Sequence, residues 1–93
     1  MADRDLIHAV DLLAAGEWDS AHKIVQDDAS LLGAWLHGIV HTLEGDLENA
    51  RYWYGQAGRA FPGREAVQEE ITAARRAASD ADVARTSGGG WQQ

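Results

Sequence analysis

Two histidines four residues apart, His37 and His41, with Glu44 three residues further on, are the side chains best suited to chemistry in this chain. On a helix these spacings put all three on one stripe. Imidazole nitrogens and carboxylate oxygens both ligate divalent transition ions, so the stripe offers three donors to one ion. His22 lies beside Trp18, Val25 and Ala29 on the inner half of an earlier segment, and can join His37 or His41 across a helix pair. His22, His37, His41 and Glu44 are therefore candidate ligands for a divalent metal ion. If they hold one, donor atoms of neighbouring ligands should approach to about 4 Å or less, since metal–nitrogen bonds are near 2 Å. The alternative is structural: each histidine satisfied by a backbone, carboxylate or other polar partner, or left on the surface. The glutamate that directly follows the first histidine in zinc proteases is absent, and Gly38 stands in its place.

Other chemistries have little support. The chain has no cysteine, which excludes disulfides, thiolate catalysis and cysteine-based zinc sites. No Gly-x-Ser-x-Gly element is present, and no glycine-rich phosphate loop precedes a helix. The pairs Asp27-Asp28 and Glu69-Glu70 fall at a helix end and on a solvated face, where capping and solubility explain them. The expectation is a non-enzymatic protein with no cofactor, unless the histidine stripe binds its ion. The function expected first is a non-enzymatic protein- or peptide-interaction module, with metal binding by the histidine stripe as the alternative, and the module's candidate surface is Trp35, Arg51, Tyr52 and Arg59. Tyr52 and Arg51 point outward from an amphipathic segment, and exposed Tyr beside Arg is a common anchor pair at interfaces. These four are the candidate interaction surface.

The elements that position these residues follow from patterning. The chain has 93 residues, 45% hydrophobic and 25% charged, which fits one globular domain. Its single proline is Pro62, and β-branched residues never alternate with polar ones over a strand length, so the signal is helical throughout. Five helices are expected, all-α, joined by short connections as antiparallel αα-hairpins. The first covers about 3–15, with Leu6, Val10 and Leu13 inward and Ile7 and Ala14 beside them. The second covers 19–27, with Ala21, Ile24 and Val25 apolar. The third covers 30–44, with Ser30 as N-cap and Gly45 as stop. The fourth covers 46–60, with Leu47, Ala50, Trp53, Tyr54, Ala57 and Phe61 on one face. The fifth covers 64–83, with Val67, Ile71, Ala74 and Ala78 as a narrow inner stripe and Glu65, Glu69, Glu70, Arg75 and Arg76 outward. The domain is expected over 1–84, and 85–93 as a flexible Gly-rich tail in which Trp91 either docks or moves freely.

Eight basic against fifteen acidic residues give a net charge of −7. That balance repels phosphate and disfavours nucleic acid and anionic membranes as partners. No apolar run is long enough to span a bilayer, and Met1 to Asp5 do not resemble a signal peptide, so the expected location is the cytoplasm.

Two segments match at a shift of 29 residues: Gly16-Glu17-Trp18-Asp19-Ser20-Ala21 and Gly45-Asp46-Leu47-Glu48-Asn49-Ala50. In each, a glycine ends one helix, an acidic residue opens the next, and an alanine lets two axes approach. The second unit, with Trp35, Gly38, Gly45, Asp46, Ala50, Tyr54, Ala57 and Pro62, resembles a tetratricopeptide repeat over about 33 residues. The stretches Gly33 to His37 and Glu44 to Tyr54 also look like those of small uncharacterised bacterial proteins. The tetratricopeptide resemblance implies a short right-handed solenoid of two helix-turn-helix units with a C-terminal capping helix. It also implies a protein or peptide partner, of basic character given the charge, or a second copy of the chain. An exposed apolar or aromatic groove would then lie near the first and third helices.

The resemblance and the helical wheel disagree about the histidines. The wheel places them opposite the centre of the arc of Leu32, Trp35, Leu36, Ile39, Val40 and Leu43, facing solvent or a partner. The repeat alignment turns them toward the fourth helix, with Tyr54 and Asn49 as hydrogen-bond partners. Surface histidines can also sense pH near neutrality, which is a third role open to them.

Overall fold

The computed structural model describes the backbone of residues 3–90 and the side chains of residues 4–84. Five α-helices follow in order: α1 (Asp3–Ala14), α2 (Trp18–Val25), α3 (Leu31–Glu44), α4 (Leu47–Gln56) and α5 (Val67–Gly90), with a 3-10 turn at Arg64–Ala66. There is no strand among the described residues. No described helix is long and apolar enough to cross a membrane.

The helix starts follow local capping. Ser30 Oγ accepts from Gly33 N at 2.9 Å and opens α3. Asp46 Oδ1 accepts from Asn49 N at 3.3 Å and opens α4. Gly45 stops α3 in the left-handed region, φ 96°, and donates its N–H to the His41 carbonyl; an L side chain there would be strained. The fourth helix ends at Gln56, earlier than its pattern suggests. Gly58 turns left-handed at φ 74°, and Arg59 N closes back on the Tyr54 carbonyl at 2.9 Å. The chain then runs through Pro62 to the 3-10 turn, so α5 begins at Val67 and not at Arg64. At its other end α5 continues to Gly90, past the expected stop at Val83, with no proline in between to break it. Trp91 lies outside the described residues.

α3 is the axis of the molecule. It packs on α2 and α4 on one side and on α1 and α5 on the other. Every residue from Gly33 to Thr42 is buried. α1 contributes Leu6, Ala9, Val10 and Leu13 to the core, α2 contributes Ala21 and Val25, and α5 contributes Ile71, Ala74 and Ala78. Burial of these apolar side chains, at about 25 cal/mol per Å² removed from water, is the main stabilising term. α5 lies against both α1 and α3, and a mostly apolar groove lined by Leu31, Leu32, Trp35, Ala77 and Ala81 remains between α3 and α5. An Arg75–Asp11 ion pair at 2.6 Å, half exposed, adds little to that contact.

Candidate metal centre

The histidine stripe of α3 points inward, because α3 has neighbours on every side. His37 and His41 are 5% and 8% exposed. The wheel's solvent-facing orientation is therefore wrong, and the orientation toward α4 holds. His22, one helix earlier and half-buried, reaches the same place. Its Nε2 lies 3.1 Å from His37 Nε2. One nitrogen from each of His22, His37 and His41 lies within 4.8 Å of the other two. Two imidazole nitrogens on one tetrahedral ion sit roughly 3.3 Å apart, given bonds near 2 Å. The His22–His37 pair is at that spacing within a few tenths of an ångström.

The rings are held by aromatic packing. The His37 ring lies flat on the Trp53 indole, centroids 3.9 Å apart and planes 7° from parallel. His41 is stacked beside His37 at 5.0 Å, and His22 meets both rings edge-on at 4.8 and 5.4 Å. His41 is further fixed by Glu44, whose Oε1 is 2.7 Å from His41 Nδ1. With Nδ1 bonded to a carboxylate, His41 has Nε2 as its free donor, the arrangement that orients histidines in many metal sites.

Glu44 therefore does not complete the ligand set as the stripe suggested. It stands behind His41, and His22 is the third imidazole that lies close to His37 and His41. Glu44, His41 and Asp46 form a second close group, but its carboxylates are exposed, as acidic groups often are without any ion. The hydrogen-bond partners of the histidines also differ from those expected: His22 and His37 share a hydrogen bond through their Nε2 atoms, and His41 bonds Glu44. Tyr54 Oη donates to Glu70 at 2.7 Å and Asn49 bonds Asp46.

Of the candidate interaction surface, Trp35 is corrected. It is 5% exposed, its Nε1 donates to Glu70 Oε1 at 3.1 Å, and the Arg59 guanidinium sits 3.5 Å above its ring. The third helix is surrounded, so its largest side chain is core. Arg59 is thereby laid on its own domain, and Arg51 lies 5.3 Å from the Phe61 ring. Tyr52 alone of the four keeps a large free aromatic surface, 56% exposed. Two roles escaped the sequence reading. Trp53 falls on the apolar face of its helix by pattern, but its half-buried ring supports His37. Glu70 was placed on the outer face, though it is half-buried and bonds two aromatic side chains. The only signal for the first was that Trp53 follows the aligned position of Ile24 into an aromatic run.

His37 titrates at about 4, depressed first by burial and then by the neighbouring His22 and His41. It is neutral near pH 7, so its lone pair is available to a metal. The unfolded chain binds a proton at this residue below about pH 6.5, while the folded chain declines it until about pH 4. Between those limits the unfolded state carries more protons, so stability is fully present above the window and is lost as pH falls through it. The expected loss is on the order of 1.5 kcal/mol, below the full linkage because water reaches the cluster past half-buried His22. Thermal melts of chelator-treated protein at a series of pH values should show this slope, and His37→Gln should flatten it.

No family model matches the chain, and no curated protein or solved structure is significantly similar to it.

Proposed function

We propose that the chain is a small metal-binding protein in which His22, His37 and His41 hold one divalent transition ion. The observation that carries this is the convergence of three imidazoles from two helices, two of them buried. Three imidazole nitrogens suit zinc, copper, nickel or ferrous iron better than calcium or magnesium, which prefer oxygen. Three protein ligands leave a fourth position for water or an exogenous donor, as in open zinc sites. Glu44 acts on His41 as the orienting carboxylate.

The test is elemental mass spectrometry of untagged protein purified without chelator. Near-stoichiometric metal is expected, and it should vanish in the His37→Ala, His41→Ala double variant. His8→Ala, at an exposed position on α1, should change nothing. No bound metal in the wild type, together with no rise in thermal midpoint on adding zinc, copper or nickel, would sink the proposal.

The second role is a tetratricopeptide-like scaffold for a protein or peptide partner, in the cytoplasm. The close packing of Gly38 on Tyr54, a small residue of one helix against an aromatic of the next, supports the repeat-like arrangement. Exposed Tyr52 supports the partner. It is the role left standing if no metal is found, and Tyr52→Ala should then weaken capture of the partner without lowering stability.

A further inference from the structure

A cavity of about 360 Å³ opens where the C-terminal ends of α2 and α4 meet the N-terminal end of α3. Its size lies within the range of small-molecule sites. Gln26 of its lining is one helical turn beyond His22, and Ala34 is one turn before His37. The cavity therefore occupies the next turn along the groove that holds the histidines. Trp53 belongs to both places, with His37 flat on its ring and part of its side chain lining the cavity.

The cavity is negative. Asp27 and Asp28 line it, and no lysine, arginine or histidine does. α2 and α4 direct their C-terminal ends at it, at Gln26 and Gln56, and helix C-termini carry partial negative charge. The N-terminus of α3, the one positive end present, is partly offset by its own cap. Ser30 Oγ accepts from Gly33 N, and Asp28 Oδ1 accepts from Ser30 N at 2.9 Å. His37 covers one face of the indole, and the part of the ring it leaves open adds π surface that attracts cations, tryptophan doing so best among the aromatic residues. Two carboxamides, Gln26 and Gln56, supply neutral acceptors beside the carboxylates.

We infer that this cavity is a binding site for a small organic cation, a guanidinium or primary alkylammonium group set against the part of Trp53 that His37 leaves open, with its N–H groups directed to Asp27 and the glutamine carbonyls. A guanidinium fits best, being flat enough to stack on indole and carrying five donors in its plane. The ligand is either a free guanidino or amino compound or the side chain of an arginine or lysine on a basic peptide. The site does not require the metal. An ion on the histidines would add positive charge one turn away, so the cation should bind best to the metal-free protein.

The test is a titration of chelator-treated protein followed by two-dimensional NMR, with the Trp53 indole N–H assigned through Trp53→Phe. Methylguanidinium should produce saturable shifts at Trp53, Gln26 and Gln56 with a Kd of about 1 mM or tighter. Sodium acetate at the same ionic strength should produce none. Asp27→Asn should weaken methylguanidinium binding about fivefold, and Trp53→Leu about fivefold or more. N-acetyl-arginine amide and a short arginine-containing peptide separate the sources. Tighter binding by the peptide marks a partner's side chain, and equal binding marks a free small molecule. No saturable shift at Trp53 by about 10 mM, equal shifts with acetate, or unchanged binding in Asp27→Asn would each overturn the inference. Because the protein is metal-free throughout, these outcomes are independent of whether the histidines take an ion.

Discussion

Gly38→Val should cost about 4 kcal/mol, a large part of the roughly 5–15 kcal/mol that stabilises a domain. The reason is the approach of α3 to α4. A Cβ at position 38 would fall 2.5 Å from Tyr54 Cδ1, 2.9 Å from its Cε1 and 3.3 Å from the Ala50 carbonyl oxygen. None of these neighbours gives way easily. Tyr54 is 1% exposed and its hydroxyl is bonded to Glu70, and the oxygen is backbone. Gly38→Ala meets the same ring with one methyl. It should lose about 2 kcal/mol net, after offsetting roughly 1 kcal/mol of better helix propensity. For a chain of this size that lowers the thermal midpoint by about 8–16 °C. Gly55→Ala supplies the opposite sign, since a Cβ there meets nothing within 4 Å. It should gain about 0.5–1 kcal/mol from propensity alone. Calorimetry of the three variants checks the set, and a Gly38→Ala protein as stable as wild type would mean the helices are further apart than described.

Gly38 also marks what could be read without the structure. Its place in the repeat, one turn from His41 and across from Ala50 and Tyr54, was visible as spacing. So were the cap at Ser30, the stop at Gly45 and the inner stripes Leu6-Val10-Leu13 and Ile71-Ala74-Ala78, because each depends on residues within one or two turns. What was not visible is which helices surround α3. A helical wheel assumes one wet face, and α3 has none between Gly33 and Thr42. That assumption turned His37 and His41 outward, whereas it correctly set Trp35 in the apolar arc.

The histidine trio depends on the same long-range fact. His37 and His41 share a helix, so their pairing follows from a spacing of four. His22 joins them only because α2 packs on α3 in a register that no local pattern encodes. Trp53 under His37 comes from the third helix of the group. Burial brings these rings together and also lowers the pKa of His37, so packing sets the charge state of that ring as well as its position. An apolar core would serve stability as well or better, since buried polar rings need partners that leucine does not. The cluster is consistent with a function for that reason.

Glu70 is the other element whose place only packing reveals, and Glu70→Ala should cost about 3 kcal/mol. Its Oε1 accepts from Trp35 Nε1 at 3.1 Å and from Tyr54 Oη at 2.7 Å, which ties the start of α5 to both α3 and α4. Removing the carboxylate strands a buried phenol and a buried indole N–H without acceptors, and the penalty for such groups exceeds the value of the bonds themselves. Glu70→Gln keeps an oxygen able to accept both, so it should cost only about 1 kcal/mol, the difference between charged and neutral acceptors. Stability alone would not separate this from a general packing defect, but the Tyr54 titration does. Burial first, then the hydrogen bond to Glu70 and its charge, push the Tyr54 phenol well above its ordinary range. Tyrosinate beside a carboxylate is disfavoured by like charge. In Glu70→Gln that repulsion is gone while burial remains, so the Tyr54 midpoint should fall, read as ultraviolet absorbance against pH in a Tyr52→Phe background. An unchanged midpoint would mean that the two side chains are not bonded in solution.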